Sequence, residues 1–596
     1  MTVELLADAM RRRRRRDQLS GFEVLNAEDE FAAGTFLSLE AVSVGACLNR
    51  RQHVAFCIIG HRLLFDFKNG LRGLACDDEP LRMILHGEGG TGKSRILECL
   101  TTLCKSWLKP QALELLAPTG IAAVCIGGRT VHLATGMRPR GGGDGSGSSK
   151  HISKAKKDQL IKEWAPCQLV AIDEMSMMDK EMLLDVSDRV EMAKKVKGSF
   201  GLMHVILCGD FTQLPPVAGQ PLYTVSKKAG VKGIAELSGY NLYKTFDTVV
   251  ILTENMRAVA DPQWKAVLCR MRVGALTLSE SALLSSLVGS SDRLRAISEQ
   301  LVAEQAPDAP ETGAPSALPP LCPVNVGTKK ERYDIIWSVV AAAARRNVDV
   351  HMRPVLIPGY LPAVRNRVQL TASTVEEVFA LDDVHKMMPV PPVVHNMPYM
   401  VSHNVSVALK VANGTLCYPI LAQFSASCTF ARRYIGDAVF ELASEPAELI
   451  WARVPGQDFS AQFVHPAGMP VDAFPLLPIL GGGVVRLPGG RGVSVTLSQF
   501  PITPACAITV HKVQGLTLLA AAISRLRGGR TKSPKTGLYV ASSRTKLAMR
   551  TVFLHSLTPR DVVYFKPPVT LMNELARLEG LCTSTMARFE EESFAT

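Results

Sequence analysis

The sequence lacks the residue patterns that organise metal, disulfide and membrane proteins. It contains 14 cysteines in 596 residues, but no Cys-x-x-Cys pair and no Cys/His group at zinc-ligand spacing. We therefore predict neither a zinc site nor a disulfide framework, and the cysteine usage is typical of a reducing compartment. No apolar run reaches the roughly 18–20 residues that a membrane-spanning helix needs, so no membrane association is expected.

The charge balance is basic, with 67 Lys and Arg against 55 Asp and Glu. The net charge of +12 favours polyanionic partners such as nucleic acid. Arg11–Arg16 form a run of six arginines without the apolar segment that follows the basic start of a secretory signal. Such a run is typical of a nuclear address or a phosphate-binding arm, and a solvated tail is the alternative. We expect nuclear localisation, with mitochondria as the alternative.

Apolar residues make up 47% of the chain, which excludes disorder throughout. In the first 255 residues, five short and nearly continuous apolar runs end in glycine, proline or a charged residue, as buried parallel strands do. They are Leu81–His86, Leu113–Ala117, Gln168–Ile172, Met203–Cys208 and Thr248–Leu252. The sequence therefore predicts a doubly wound α/β domain whose ligand lies at the carboxyl ends of the strands.

Two segments break this pattern. Gly141–Ser149 is rich in glycine and serine and is predicted to be a flexible loop. Ala306–Pro323 is rich in proline and alanine and is predicted to be a linker or long insertion.

The first apolar run leads into a phosphate-binding motif, G-x-x-x-x-G-K-[ST], that opens a predicted helix. Lys93 is predicted to reach the β- and γ-phosphates of ATP, and the Ser94 hydroxyl to bind Mg²⁺. The backbone of the loop is predicted to wrap the phosphates. The residues predicted to bind the nucleotide here are Gly87, Gly89, Gly90, Thr91, Gly92, Lys93 and Ser94.

Carboxylates and an amide follow two other predicted strands. Asp173 is placed to hold the metal ion, and Glu174 to orient or deprotonate the attacking water. Gln213, in Gly209-Asp210-Phe211-Thr212-Gln213-Leu214-Pro215-Pro216, is placed to sense the γ-phosphate or the water, and a tight turn stiffened by two prolines is the alternative. The set favours ATP hydrolysis over binding alone.

These motifs resemble those of Pif-type (petite integration frequency) superfamily-one DNA helicases, which are related to RecD. The resemblance rests on Asp173–Met177 and Gly209–Pro216 and extends in order from about Leu48 to Leu554. Ser199-Phe200-Gly201 departs from the family's usual PFGG. The tail, with Pro567-Pro568 and Asn573–Leu581, resembles that of helicases encoded by Helitron transposons, and an ordinary amphipathic helix is the alternative.

The resemblance implies roles for further residues. Gln52 and the pair Gln514 and Gly515 would contact the nucleotide, and Arg257 and Arg544 would reach the γ-phosphate from a second domain. Lys93, Asp173, Glu174, Gln213, Arg257 and Arg544 are the predicted catalytic set. The predicted DNA contacts are Thr119, Thr130, His132, Thr509, His511 and Lys512.

The resemblance also implies an architecture of two RecA-like P-loop NTPase domains with a small inserted SH3-like β domain. The predicted segments are a basic tail (1–39), RecA-like domain 1 (40–255), the first part of domain 2 (256–395), the inserted β domain with loops (396–499), the second part of domain 2 (500–560) and a C-terminal helical tail (561–596).

The implied function is an ATP- and Mg²⁺-dependent DNA helicase that moves 5′ to 3′ on single-stranded DNA and acts on DNA junctions. The implied processes are DNA repair, the response to DNA damage, recombination and telomere maintenance. Two alternatives stay open at this point. One is a nucleic-acid-stimulated ATPase that remodels complexes without unwinding, and the other is a transposon-derived DNA-binding remnant without turnover.

Overall fold

The computed structural model describes thirteen stretches of the chain. They are residues 36–69, 79–137, 152–217, 219–225, 230–257, 259–305, 322–346, 355–359, 387–395, 397–406, 409–486, 492–526 and 535–595. The arginine run, the predicted loop Gly141–Ser149 and most of the predicted linker Ala306–Pro323 lie outside them. The described residues divide into two compact units, one made of those within 36–137, 152–259 and 567–595, the other of those within 260–566.

The first unit is built on a six-stranded parallel sheet. Its strands are β1 (Arg82–Gly87), β2 (Leu113–Ala117), β3 (Arg129–Thr130), β4 (Leu169–Ile172), β5 (His204–Gly209) and β6 (Thr248–Leu252), in the order β3-β2-β4-β5-β1-β6. Its helices up to residue 259 are α1 (Leu39–Gly45), α2 (Arg50–Asn69), α3 (Lys93–Ser106), α4 (Gly120–Cys125), α5 (Val131–Thr135), α6 (Lys154–Trp164), α7 (Lys180–Lys194) and α8 (Gly230–Lys244). All five predicted strands are confirmed, each to within one residue at either end.

Successive side chains of a strand point to opposite faces of its sheet. Because these strands are apolar at successive positions, apolar residues cover both faces of the sheet. Met83 and Leu85 of β1 enter the buried layer that contains residues of α2 and α3. Ile84, between them, enters the opposite layer, which contains residues of α6 and α7. This double burial explains why the strands are continuously apolar in sequence.

The second unit contains a four-stranded parallel sheet and a larger β-rich region. The helices are α9 (Pro262–Val273), α10 (Leu278–Ser286), α11 (Ser291–Gln305), α12 (Lys329–Arg346), α13 (Val510–Val513), α14 (Gly537–Ser542) and α15 (Pro559–Tyr564). The strands up to residue 486 are β7 (Val324–Val326), β8 (Val355–Leu356), β9 (Pro392–Val393), β10 (Tyr399–Val401), β11 (Leu416–Gln423), β12 (Phe430–Ile435), β13 (Ala438–Ala443), β14 (Leu449–Arg453), β15 (Ala473–Leu476) and β16 (Ile479–Arg486). The remaining strands are β17 (Gly492–Gln499), β18 (Ile502–Pro504), β19 (Ala507–Thr509), β20 (Ala521–Ile523) and β21 (Thr551–Phe553).

The parallel sheet of this unit has the order β19-β7-β20-β21. The β-rich region forms a five-stranded sheet (β15-β14-β11-β10-β18), a four-stranded sheet (β12-β13-β8-β9) and the hairpin β16-β17. Strands β8 and β9 precede residue 396 and yet share a sheet with β12 and β13. The SH3-like identity and the boundaries 396–499 of the inserted domain stay predictions.

The chain then returns to the first unit as α16 (Val569–Ala595), a helix of 27 residues. Leu571, Leu578 and Cys582 of α16 are buried in the core of that unit. Two side chains of α16 also accept hydrogen bonds from the edge strand β6: Thr585 Oγ1 from the Val249 N–H (3.0 Å) and Cys582 Sγ from the Ile251 N–H (3.3 Å). The helix therefore satisfies backbone donors that an edge strand otherwise leaves open.

A polar cluster fastens the first turns of α16. The Glu574 carboxylate accepts hydrogen bonds from the Tyr243 hydroxyl and from Arg577, and Lys244 Nζ lies 3.3 Å from Glu574 Oε2. Burial, with the Glu574 charge beside it, raises the pKa of Tyr243 well above its ordinary value. Tyr243 is therefore neutral at any physiological pH and acts as a donor to the carboxylate.

Candidate nucleotide site in the first unit

The glycine-rich loop lies between β1 and α3, at the carboxyl end of the sheet. Gly90 and Gly92 have φ of +92° and +85°, in the region that glycine adopts without steric cost. A Cβ on Gly92 would lie 2.2 Å from Gln52 Nε2, and one on Gly90 would lie 2.6 Å from the Arg257 Cβ. Glycine is therefore required at both positions by backbone conformation and by close packing.

The Lys93 side chain folds back over this loop. Its Nζ donates hydrogen bonds to the carbonyl oxygens of Gly87 (2.6 Å) and Glu88 (2.8 Å), and Thr91 Oγ1 also donates to the Glu88 carbonyl (2.8 Å). The ammonium is therefore held at the loop by acceptors of the loop itself. Phosphate oxygens, which carry charge, are stronger acceptors than these neutral carbonyls.

Asp173 and Glu174 follow β4 directly, on the other side of β5 from β1 in the sheet order. Asp173 is buried, and its Oδ1 accepts a hydrogen bond from the Glu174 N–H (2.9 Å). Glu174 has φ of +53°, which is uncommon for a residue with a side chain and clusters at functional sites. Burial raises the pKa of Asp173 to about 7, the Glu174 charge adds to the rise, and the Lys93 charge opposes it. A cation beside Asp173 would restore its ionised form.

This raised pKa predicts a dependence of stability on pH. The folded protein keeps a proton on Asp173 up to about pH 7, whereas an unfolded aspartate releases it near pH 4. The folded state binds more protons in this window, so its stability falls as the pH rises from about 4 to about 7. We expect Asp173→Asn, which cannot ionise, to raise the Tm of the nucleotide-free protein at pH 8 by several degrees.

Differential scanning fluorimetry from pH 5 to pH 8, without nucleotide or divalent cation, measures this effect. Asp158→Asn, a change at an exposed position of α6, serves as the control and should leave the Tm profile unchanged. Parallel profiles for Asp173→Asn and the unaltered protein would contradict the prediction.

Gln213 lies after β5, the strand between β4 and β1. Its backbone N–H donates to the Asp210 carbonyl (3.0 Å), and its side chain is 3% exposed. It stands at the same edge of the sheet as the glycine-rich loop and Asp173, as the sequence predicted for strand ends.

Sequence reasoning missed a buried pair beneath this edge. His86 Nε2 lies 3.5 Å from Asp210 Oδ1 and accepts a hydrogen bond from the Phe211 N–H (3.3 Å). Asp210 Oδ1 also accepts from the Thr212 N–H and hydroxyl. These bonds connect His86, which precedes Gly87, to the turn that contains Gln213. The signal in sequence was a histidine and an aspartate at the ends of two apolar runs.

Gln52 is buried against the loop, and its Nε2 donates to the Thr91 carbonyl (2.9 Å). Its Oε1 accepts from the Asn49 N–H (3.0 Å), so the amide is oriented from both ends. The structure therefore places Gln52 against the glycine-rich loop, and its contact with the nucleotide stays a prediction.

Arg257 corrects one expectation. The resemblance implied that it would come from a second domain, but it belongs to the first unit. After β6 the chain crosses the glycine-rich loop: the Met256 N–H donates to the Gly90 carbonyl (2.9 Å), and Asn255 Nδ2 donates to Glu88 Oε2 (3.1 Å). Asn255 Oδ1 accepts from the Arg257 N–H (2.9 Å). These short-range bonds keep Arg257 with the unit that holds the loop.

The predicted DNA contacts of the first unit lie at helix starts. Thr119 Oγ1 accepts from the Ala122 N–H as the N-cap of α4, and Thr130 Oγ1 accepts from the Leu133 N–H as the N-cap of α5 (both 3.3 Å). His132, within α5, is half-buried. Both threonines thus have a structural role in capping, and each hydroxyl retains a proton to donate.

The other predicted residues lie in the second unit. Arg544 is 1% exposed, and its guanidinium donates to the Val540 carbonyl and to Ser543 Oγ (both 2.8 Å).

Gln514 is buried, and Gly515 follows it with φ of +83°. Burial lowers the pKa of His511, which lies in α13. Thr509 is the last residue of β19, and the predicted residues that follow it are His511, Lys512, Gln514 and Gly515.

Within the described ranges, no helix is long and apolar enough to span a membrane. In the same ranges, no group of three or more His, Cys, Asp or Glu side chains is placed to hold a metal ion.

The part of the chain that contains this candidate site is similar in sequence to known proteins. Residues 71–267 match the family described as PIF1-like helicase. The ATP-dependent DNA helicase PIF1 of Saccharomyces cerevisiae is 30% identical over 192 residues, which is 32% of this chain and 21% of that protein. The PIF1 helicase of Xenopus laevis is 38% identical over 136 residues, which is 22% of this chain and 19% of that protein. The matches thus span about a fifth of the length of these curated relatives.

Similarity in fold to known structures extends beyond residues 71–267. A crystal structure of Pif1 helicase from Bacteroides in complex with ADP-AlF3 and single-stranded DNA superposes with a TM-score of 0.53 at 20% identity. The superposition covers 85% of this chain and 95% of that one, so the similarity in fold includes both units. In sequence over residues 71–267 and in fold over most of its length, this chain is similar to the PIF1-like helicases.

Proposed function

We propose that the chain is an ATP-dependent DNA helicase that translocates on single-stranded DNA and unwinds duplexes, with the 5′-to-3′ direction that the resemblance implies. The observation that carries the proposal is the arrangement of Lys93, Asp173, Glu174 and Gln213 at one edge of the sheet of the first unit. A phosphate loop alone would support binding, whereas the adjacent carboxylates support hydrolysis.

In this proposal Lys93 leaves the loop carbonyls for the β- and γ-phosphates of ATP. Glu174 accepts the proton of the attacking water as the bond to the γ-phosphorus forms and the bond to the β–γ bridging oxygen breaks. Arg257 and Arg544 stabilise the charge that develops on the γ-phosphate. Gln52, Gln514 and Gly515 position the nucleotide.

Ser94 and Asp173 would hold Mg²⁺, which neutralises phosphate charge when bound. The buried Asp173 fits this role, because burial and Glu174 both disfavour its charged form and a cation favours it.

We propose that Thr119, Thr130 and His132 in the first unit, and Thr509, His511 and Lys512 in the second, contact single-stranded DNA. The capping geometry supports this for the two threonines of the first unit, because each Oγ1 accepts from an amide and can donate its proton to a phosphate oxygen. Such contacts position a strand without reading its sequence. Binding should therefore tolerate any sequence and weaken with salt.

The test is ATP hydrolysis with and without single-stranded DNA. We expect DNA to stimulate hydrolysis several-fold or more, and Lys93→Ala to abolish both rates, because the phosphates lose their charged partner. Lys105→Ala, an exposed change in the last turn of the same helix, is the control and should retain both rates.

Strand displacement separates the proposal from its alternatives. Stimulated hydrolysis together with unwinding of a tailed duplex supports the helicase. Stimulated hydrolysis without unwinding would indicate a remodelling ATPase, and DNA binding without hydrolysis would indicate a remnant.

We propose action in the nucleus, in the repair, recombination or telomere processes that the resemblance implies.

A further inference from the structure

Strand β12, Phe430–Ile435, is exposed along its whole length. It pairs with β13 in an antiparallel hairpin that turns at Gly436 and Asp437, with Gly436 at φ of +64°. It is the end strand of its four-stranded sheet, so no described strand covers its outer edge. Its sequence, Phe-Ala-Arg-Arg-Tyr-Ile, combines aromatic and basic residues without an acidic one.

The two faces of the hairpin differ. Arg433 and Ile435 lie opposite Phe440 and Ala438, two buried residues that pack with α12. The alternate residues Phe430, Arg432 and Tyr434 therefore share the other face. We name these three residues the aromatic face.

Exposed aromatic rings are rare in this molecule. Aromatics make up 6% of the sequence, and three aromatic side chains among the described residues are exposed. Two of the three are Phe430 (49% exposed) and Tyr434 (67%), and the third is Phe65 (38%). Leaving such rings in water forgoes the free energy of burying them, so their pairing on one strand calls for a partner.

The face also has a defined shape. The Phe430 and Tyr434 positions are separated by four residues of extended chain, about 14 Å at about 3.4 Å per residue. Phe424 packs edge-to-face against Phe430, with the ring centroids 5.1 Å apart, and so restricts its orientation. Along the strand, Arg432 lies midway between Phe430 and Tyr434. Its partner on β13 is Glu441.

We propose that the aromatic face is a stacking platform for single-stranded nucleic acid, a site that rests on the proposed function. Bases stack on the Phe430 and Tyr434 rings, and the Arg432 guanidinium reaches the phosphate between them. Aromatic side chains interleaved with basic ones are the physical basis of sequence-tolerant binding to single strands. Arg432 is the charged residue of the aromatic face, Glu441 lies opposite it on β13, and the chain as a whole carries a net charge of +12, which complements a polyanion.

The test measures the affinity of the full chain for fluorescent oligo(dT) by anisotropy, with ATP hydrolysis in parallel. The double variant F430L/Y434L keeps apolar side chains but removes both π-faces. We expect its affinity to fall about tenfold or more. Its hydrolysis without DNA should be unchanged. Tyr434→Phe keeps the ring and should retain affinity, and Phe65→Leu removes the other exposed ring and should have no effect. Arg432→Ala should lower the salt dependence of binding.

The affinities of these variants for oligo(dT) decide whether the aromatic face binds single strands. Loss of affinity in the double variant with retention in Tyr434→Phe and Phe65→Leu supports the platform, and thermal melting confirms that the variant is folded. Affinity within twofold of the unaltered chain would overturn the platform while leaving the proposed function intact. A change confined to self-association, measured by light scattering, would overturn it in favour of strand pairing between copies. Absence of oligonucleotide binding by the unaltered chain would overturn the proposed function and the platform together.

Discussion

Replacing Glu174 with glutamine is expected to lower kcat for ATP hydrolysis by about 10²–10⁴-fold, the usual contribution of a general base. Glutamine has nearly the same shape as glutamate but cannot accept the proton of the attacking water. Glu174 is held in a left-handed backbone conformation immediately after Asp173. The backbone turn at Glu174 therefore helps to position its side chain beside Asp173. Single-turnover hydrolysis measures the chemical step directly.

Nucleotide affinity distinguishes this effect from damage to the site. Glu174→Gln should bind ATP and ADP at least as tightly as the unaltered chain, since one negative charge is removed from the vicinity of the phosphates. Glu98→Gln, an exposed change in α3, is the matched control and should keep the full rate. A kcat reduced less than tenfold in Glu174→Gln would contradict the assignment of Glu174 as the base.

The second large effect is expected for the stability of the first unit, from a substitution in α16, the helix with which the chain returns to that unit. Leu578 of α16 is fully buried in the core layer that also contains residues of α6 and α7. Leu578→Ala is expected to lower the free energy of unfolding of the first unit by about 2–5 kcal/mol, the range for leucine cavities in protein cores. Chemical denaturation, with a nucleotide analogue used to identify the transition of the first unit, provides the measurement.

Val569→Ala is the matched control on the same helix, because Val569 is 74% exposed. It should change the free energy of unfolding by less than about 0.5 kcal/mol, as surface changes usually do. Equal stability of Leu578→Ala and Val569→Ala would show that α16 does not complete the core. The prediction also implies that a fragment ending at residue 259 lacks part of the core of its own unit.

Much of the first unit could be predicted because its information is local. Both ends of the strands that end at Ala117 and Leu252 were predicted correctly, since each is a largely apolar run followed by proline or a polar residue. Parallel strands place their carboxyl ends at one edge, so the grouping of Lys93, Asp173 and Gln213 follows from the sequence. The β-rich region was less readable, because its short strands pair over long separations and one of its sheets combines β8 and β9 with the hairpin β12-β13.

Arg257 shows the limit of reasoning from motif order. Its position in sequence next to the predicted boundary suggested a second domain, but hydrogen bonds from Met256 and Asn255 to the glycine-rich loop keep it in the first unit. The positions of His86 and Asp210 at the ends of two apolar runs were readable in the sequence, but their pairing depends on β1 and β5 being neighbours in the sheet.

The sequence by itself determined which residues form the candidate site: a glycine-rich loop with a lysine, two carboxylates after a buried strand and an amide after the next. These features are readable because each depends on a few consecutive residues and on the alternation of side chains along a strand. The tertiary structure alone decided which distant segments meet. It brought α16 to β6 across more than 300 residues, and it left Phe430 and Tyr434 in water on the end strand of a sheet. Burial and exposure are properties of the folded packing, and no local pattern of apolar and polar residues specifies them uniquely.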